Sequence, residues 1–215
     1  MIESSLLIDK SLKISKEEML NDYYLINESR NLSLIGRKEV FMGRAKFGVF
    51  GDGKELPQIA MSKFFKNGDF RSGYYRDQTF MMAIDQLNAN QFFAQLYAHT
   101  DLDFDPHSGG RQMNNHFGTR MLNSSGKWKT LTDMKNSASD VSCVSGQMPR
   151  IVGLGYASKL YRENKDLSQM HNFSINGNEV IFGTIGDAST SEGHFWESIN
   201  ACGVLQLPVV MSIWD

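Results

Sequence analysis

Cysteine is scarce in this chain: only Cys143 and Cys202 occur among 215 residues, far apart and at no zinc or redox spacing. A disulfide framework and a cysteine-ligated metal are set aside, and two reduced thiols are expected. An excess of one charge is also missing. With 22 basic and 24 acidic residues the formal net charge is −2, and no long block of like charges appears, so nothing points to a nucleic-acid partner. The N-terminal stretch MIESSLLIDKSLKISKEEM carries acids early and no long apolar run, so neither a signal peptide nor a membrane span is expected. A cytoplasmic location follows as the expectation, and no internal repeat is visible. What is present is ordinary for a globular protein: 41% hydrophobic and 21% charged residues, enough chain for one domain with a sizeable core.

Residues 1–34 are expected to form an N-terminal extension and a helix, and residues 35–215 a single domain. Ser15 and Glu18 have capping-box spacing, and Met19, Leu20, Tyr23, Tyr24 and Ile26 recur at helical spacing, which predicts a helix over residues 16–29. Residues 35–54, rich in glycine and basic side chains, are expected to be a loop. Helices are expected over residues 55–65, 76–87 and 91–98, followed by a long polar stretch at 100–137. Loops of that length inside a compact domain are uncommon and often functional. Residues 151–164 show a helical apolar pattern, and Asn176-Gly177 signals a turn. Residues 179–185 suit a buried strand, 194–205 a helix and 207–214 a second buried strand. Strand, helix and strand in that order make a βαβ unit, so the expected fold class is α/β, a parallel sheet flanked by helices. The chain stops where the last strand stops, which gives the expectation of a fragment.

The most informative segment is Gly186-Asp187-Ala188-Ser189-Thr190-Ser191-Glu192-Gly193, placed where a strand gives way to a helix. Open α/β sheets bind ligands in that crevice. Gly186 allows close backbone approach, the N–H groups of the helix start suit a phosphate, and Asp187 offers a hard oxygen ligand of the kind magnesium takes beside a substrate phosphate. Ser189 and Glu192 have capping-box spacing, so a plain helix cap, with Asp187 complementing the dipole, is the alternative on physical grounds alone.

Gly186-Asp187-Ala188, then Glu197, Asn200 and Ala201, then Leu207-Pro208-Val209-Val210, resembles the thiamine-diphosphate motif, most closely that of the alpha subunits of pyruvate and branched-chain 2-oxoacid dehydrogenases. Ala188 stands where the motif has a third glycine. Asp215 stands at the first asparagine of the motif's pair, so the second metal ligand falls beyond it. Three upstream segments resemble the same family in the same order. Phe70–Arg76 resembles its Tyr-Arg motif, which puts Tyr75 and Arg76 on the diphosphate, where arginine's planar fork suits phosphate oxygens. Gly110–Gly118 resembles the loop ending in His-Tyr-Gly, with Phe117 for tyrosine, and turns His116 toward substrate as a group able to donate or move a proton. Ser142–Pro149 resembles the family's Ser-Pro-Leu-Ala-Thr-Gln-Ile-Pro, which puts Ser142 and Val144 against the bent cofactor. Cys143 and Gly146 depart from that pattern and leave a monovalent-cation site found in some relatives unsupported.

The resemblance implies a thiamine-diphosphate-binding fold, thiamine diphosphate and Mg2+ as cofactors, Asp187 on the metal, and Gly186, Asp187, Ala188 and Ser189 on the diphosphate. It implies oxidative decarboxylation of a 2-oxoacid with acyl transfer to the lipoyl domain of an acyltransferase component. A beta subunit or beta half of the same enzyme is the implied partner, supplying a glutamate, in a multi-subunit assembly; alone, this chain is expected to be inactive. Transketolase-type two-carbon transfer on the same cofactor and a non-catalytic assembly subunit of the same fold are the alternatives. Pyruvate and branched-chain substrates are not distinguished. Three patterns are set aside as misleading. Gly51-Asp52-Gly53 has no preceding strand and is expected to be a turn. Gly153-Leu154-Gly155 lacks a third glycine and is expected to serve helix packing, and His99, His107 and His116 fit no zinc spacing.

Overall fold

The computed structural model describes residues 14–215, so the extension expected over residues 1–14 lies almost wholly outside the described residues. Helix α1 (Lys16–Phe41) begins at Ser15, whose Oγ accepts from the Glu18 N–H at 3.0 Å. The other half of the capping box is absent, because the Glu18 carboxylate pairs with Lys63 at 2.8 Å instead. The helix continues well past residue 29, into the stretch expected to be a loop and through the division drawn between residues 34 and 35. Its buried residues explain why the apolar pattern fades: they are Ser29, Leu32, Ser33 and Gly36. The Ser29 hydroxyl meets Thr79 Oγ1 at 2.7 Å, and Ser33 donates to Gln78 Oε1 at 3.2 Å. A Cβ on Gly36 would fall 2.5 Å from the Phe50 ring. Small and hydroxyl-bearing side chains let this half of the helix sit close against its neighbours, and tertiary contact overrides weak periodicity.

Helix α2 (Glu55–Ser62) is held to α1 by a bidentate pair, Arg30 to the buried Glu55 at 2.5 and 2.8 Å. Strand β1 (Phe70–Ser72) leads through a 3-10 turn at Tyr75–Asp77 into α3 (Gln78–Ala83), and α4 (Ala89–Leu96) is opened by a reciprocal Asn88–Gln91 capping box. The long polar stretch ends in strand β2 (Asn136–Ser137). Helix α5 (Met148–Glu163), strand β3 (Ile181–Gly186), helix α6 (Gly193–Leu205) and strand β4 (Val209–Trp214) follow. The strands form one parallel sheet in the order β2-β1-β3-β4, with β3 and β4 in register from Ile181 opposite Val209 to Gly186 opposite Trp214. The fold is α/β, as the βαβ pattern predicts.

Both faces of the sheet are covered, as parallel sheets require. Phe182 points into a cluster with Phe65, Phe80 and Trp214, while Ile181 and Ile185 point the other way, against Met148, Ile151 and Phe195. Each such side chain, fully buried, contributes about 1.5–3 kcal/mol. The expectation that residues 207–214 form a buried strand needs correction: among the described residues β4 ends the strand order, Val210 and Ile213 are 41% and 50% exposed, and Trp214 is the one buried residue of the strand.

Strands β1 and β2 have no apolar signature, because their interior is organised by a buried charge. Arg71 is fully buried and all five of its N–H donors are used. Nε donates to Asp77 Oδ2 at 2.6 Å, Nη1 to Ser137 Oγ at 2.8 Å and Asp140 Oδ1 at 3.0 Å, and Nη2 to Asp140 Oδ2 and the Tyr74 carbonyl, both at 3.0 Å. The Asp77 carboxylate also accepts from Thr184 Oγ1 at 2.5 Å and Trp214 Nε1 at 3.0 Å, so one cluster touches all four strands. Burial opposes the Arg71 charge, but the Asp140 and Asp77 carboxylates outweigh it and hold the guanidinium above its ordinary range. Replacing Arg71 by methionine leaves two buried carboxylates without their cation. A loss of about 3–5 kcal/mol is expected in urea denaturation of the purified chain; an unchanged midpoint would contradict this role.

Candidate functional site

A cavity of about 310 Å³ opens beyond the C-terminal ends of β1 and β3. All nine residues singled out from the sequence line it. Tyr75 and Arg76 reach it from the turn after β1, and Ser142 and Val144 from the segment after β2. Gly186, Asp187, Ala188 and Ser189 come from the turn after β3, and His116 from the long polar stretch.

The turn after β3 is not the helix cap that its spacing allows. Residues Ala188–Ser191 form a 3-10 turn, and α6 starts at Gly193 behind Glu192, with no side-chain cap. Ser189 spends its carbonyl on the Ser145 hydroxyl at 2.7 Å, which ties this turn to the Val144 segment. A second tie runs from His194 Nε2 to the Val144 carbonyl at 3.1 Å. Ser145 takes a left-handed backbone (φ 56°), and the turn it makes leaves the apolar Val144 side chain 57% exposed at the cavity. Asp187 is exposed, and its carboxylate has no hydrogen-bond or ion-pair partner among the described residues. Among those residues no three His, Cys, Asp or Glu side chains converge, and Asp187 is the acidic side chain in the cavity wall.

Arg76 lines the same cavity as Asp187. Its Nη1 donates to the Tyr75 hydroxyl at 2.6 Å, its guanidinium lies 5.1 Å from the Tyr75 ring centroid, and no carboxylate pairs with it among the described residues. Its backbone is held from behind, since Gln58 Nε2 donates to the Arg76 carbonyl at 2.7 Å and a Cβ on Gly51 would lie 2.8 Å from that same oxygen. Gly51-Asp52-Gly53 is thus a turn, as its setting predicts, with Asp52 paired to Arg37 at 2.6 Å. Gly155 packs against β4, where a Cβ would meet Val209 at 3.0 Å, in line with helix packing.

His116 is buried to 6% exposure, with both ring nitrogens engaged. Nδ1 lies 3.2 Å from the Asn114 carbonyl and Nε2 lies 2.9 Å from Ser142 Oγ. A carbonyl oxygen only accepts, so Nδ1 carries the proton and, in the neutral ring, Nε2 accepts from the Ser142 hydroxyl. The neighbouring Phe117 N–H donates to Asp140 Oδ2 at 3.0 Å, so the Arg71 cluster fixes both the His116 and the Ser142 segments. Burial pushes Asp140 up from the usual carboxylate range, opposed by its pairing with Arg71.

Several lining residues have no motif to announce them. Tyr74 stacks edge-on against Tyr75 with centroids 5.2 Å apart, and its hydroxyl is buried without a partner. Burial, with Asp77 nearby, raises the Tyr74 hydroxyl pKa well above its ordinary value. Phe47 and Val49 come from the segment expected to be a loop, and Gln147 bridges to the Thr184 carbonyl at 2.9 Å. An adjacent tyrosine pair before an arginine is the one sequence signal that marks Tyr74.

Comparison with known proteins agrees with this geometry. The family described as "Dehydrogenase E1 component" matches residues 29–214. The chain is 29% identical over 169 residues to "2-oxoisovalerate dehydrogenase subunit alpha" of Bacillus subtilis, covering 78% of this chain and 42% of that protein. It is 27% identical over 172 residues to "2-oxoisovalerate dehydrogenase subunit alpha 1, mitochondrial" of Arabidopsis thaliana, covering 78% of this chain and 29% of that protein. The chain therefore spans less than half the length of these relatives.

The His116 contacts give a direct expectation. Imidazole ¹⁵N spectra at a pH where the ring is neutral should show a single Nδ1–H tautomer. Ser142→Ala should shift the Nε2 signal and leave Nδ1 bonded. A dominant Nε2–H form would contradict the assignment.

Proposed function

The chain belongs to the dehydrogenase E1 component family, and on that premise we propose that it forms the cofactor-binding part of the decarboxylating component of a 2-oxoacid dehydrogenase, acting with thiamine diphosphate and Mg2+. The observation that carries this is the pair of uncompensated charges in one cavity. Arg76 faces it without a carboxylate and Asp187 without a cation. A diphosphate carried with a divalent metal ion answers both at once.

The walls fit such a group in detail. The orphaned Tyr74 hydroxyl sits against Gly186, where a Cβ would come within 3.3 Å of it, so the glycine keeps this corner open. Arg76, Tyr75 and the backbone of Gly186–Ser189 would take phosphate oxygens, and Asp187 would ligate the metal. Val144 offers an apolar surface for a ring to rest on, exposed for no reason that packing supplies. Bound there, thiamine diphosphate supplies the electron sink that lets a 2-oxoacid lose CO2. The chain's own contribution is to hold the charges apart, support the ring and present a proton donor. His116, held by Ser142, would bind or protonate an oxygen of the 2-oxoacid at its Nε2 when the ring is charged, and accept a proton there when neutral.

The same proposal includes a beta subunit or beta half at the open side of the cavity, a lipoyl domain of the acyltransferase component as acyl acceptor, an oligomeric assembly and a cytoplasmic location. The dehydrogenase is preferred to transketolase-type transfer because both relatives are dehydrogenase alpha subunits by name. Calorimetric titration of thiamine diphosphate with Mg2+ into the protein complemented by its beta part tests it. Saturable binding is expected, weakened roughly a hundredfold by Asp187→Ala. Absence of binding by the complemented protein would leave a non-catalytic assembly subunit of the same fold.

A further inference from the structure

His116 reaches the cavity because the chain reverses just before it. Asn115 has a left-handed backbone (φ 58°) and is fully buried. Asparagine tolerates that conformation better than most side chains. Its Nδ2 donates to the Val49 carbonyl and to Gln78 Oε1, both at 2.9 Å. Gln78 is itself immobilised from helix α1: its Nε2 donates to the Ser29 carbonyl at 2.8 Å, and the Ser33 hydroxyl donates to its Oε1 at 3.2 Å. Asn114 clamps the other side of the turn, accepting from Val49 N–H at 2.9 Å and donating to the Val49 carbonyl at 2.6 Å. The Asn114 carbonyl is also what His116 Nδ1 meets. A chain of hydrogen bonds thus runs from α1 through Gln78 and Asn115 to the Val49 carbonyl, which Asn114 also binds, and from the Asn114 carbonyl to the imidazole, and packed polar chains of this kind fix one geometry when every donor is used.

Resting on the role proposed for His116, we propose that Asn115 is a positioning residue that sets the orientation of the His116 imidazole toward the 2-oxoacid. It does not line the cavity, so its effect on the reaction passes through the histidine. The left-handed backbone and the two side-chain bonds separate experimentally. Asn115→Gly keeps the backbone conformation and removes both bonds. Asn115→Asp keeps the shape but turns a carboxylate oxygen toward two acceptors, the Val49 carbonyl and Gln78 Oε1.

The test uses the complex with the beta part, and reads three quantities for each variant. These are the ¹⁵N spectrum of the His116 ring, the affinity for thiamine diphosphate with Mg2+, and kcat and KM with pyruvate and with 2-oxoisovalerate. Expected are a cofactor affinity within about twofold of the parent, kcat lowered by about tenfold or more, and a His116 ring that no longer shows a single Nδ1–H tautomer with Nε2 bonded to Ser142. An unchanged His116 spectrum with unchanged kcat in a folded variant overturns the proposal. So does equal loss of cofactor affinity and kcat, which marks general damage to the site. If Asn115→Asp does not fold, Asn115→Gly decides the matter, since glycine suits the backbone. If the parent complex binds no cofactor, the functional proposal fails, and the His116 spectrum alone still decides whether Asn115 positions the ring.

Discussion

One buried guanidinium holds this structure in register. Arg71 gives every N–H it has to four residues on two segments, the turn after β1 and the end of β2 with the stretch just beyond it, and the two carboxylates it holds bring in the rest. Asp77 binds the side chains of Thr184 and Trp214 on the last two strands, and Asp140 binds the backbone beside His116. Two carboxylates sharing one cation leave the cluster short of positive charge, and backbone and side-chain donors make up the difference. Such clusters are poor sources of net stability, because desolvation consumes most of the Coulombic gain. Their value is specificity of arrangement. Here the two segments that converge on the cavity wall, at His116 and at Ser142, are placed by the same group that joins the strands. A shift in the sheet is therefore felt at the site.

The parts of the fold that were legible in the sequence are those held by apolar packing. Helices α5 and α6 and strand β3 follow from periodicity or from a short β-branched run. The second half of α1 was hidden because its buried face consists of serines, a glycine and one leucine, which bond and nestle where other helices present apolar bulk. Strands β1 and β2 were hidden for a related reason: Arg71, Asn136 and Ser137 are fully buried polar residues, and no periodicity argument places such residues inside. At the site, the residues carried by family motifs were legible, and all nine line one cavity. Tyr74, Asn115 and Asp140 were not. Their importance lies in which distant residues they touch, and pairing across the fold leaves no local mark.

The unpaired charges of Arg76 and Asp187 contrast with this internal satisfaction. Among the buried ions outside the cavity, Arg71 is paired with Asp77 and Asp140, and Glu55 with Arg30. Arg76 and Asp187, which face the cavity, have no charged partner among the described residues. Both line one concave place, together with the exposed Val144 and the orphaned Tyr74 hydroxyl.

The bond from Trp214 to Asp77 has an optical consequence. Of the three tryptophans, Trp128 and Trp196 are 53% and 62% exposed, whereas Trp214 is 6% exposed and bonded into the arginine cluster. The first two should emit at long wavelength and yield to aqueous quenchers. Trp214 should emit further to the blue and resist them. The molecule therefore carries an intrinsic fluorophore at the junction of its sheet and its cavity, and loosening of the ionic cluster can be watched by light without any label.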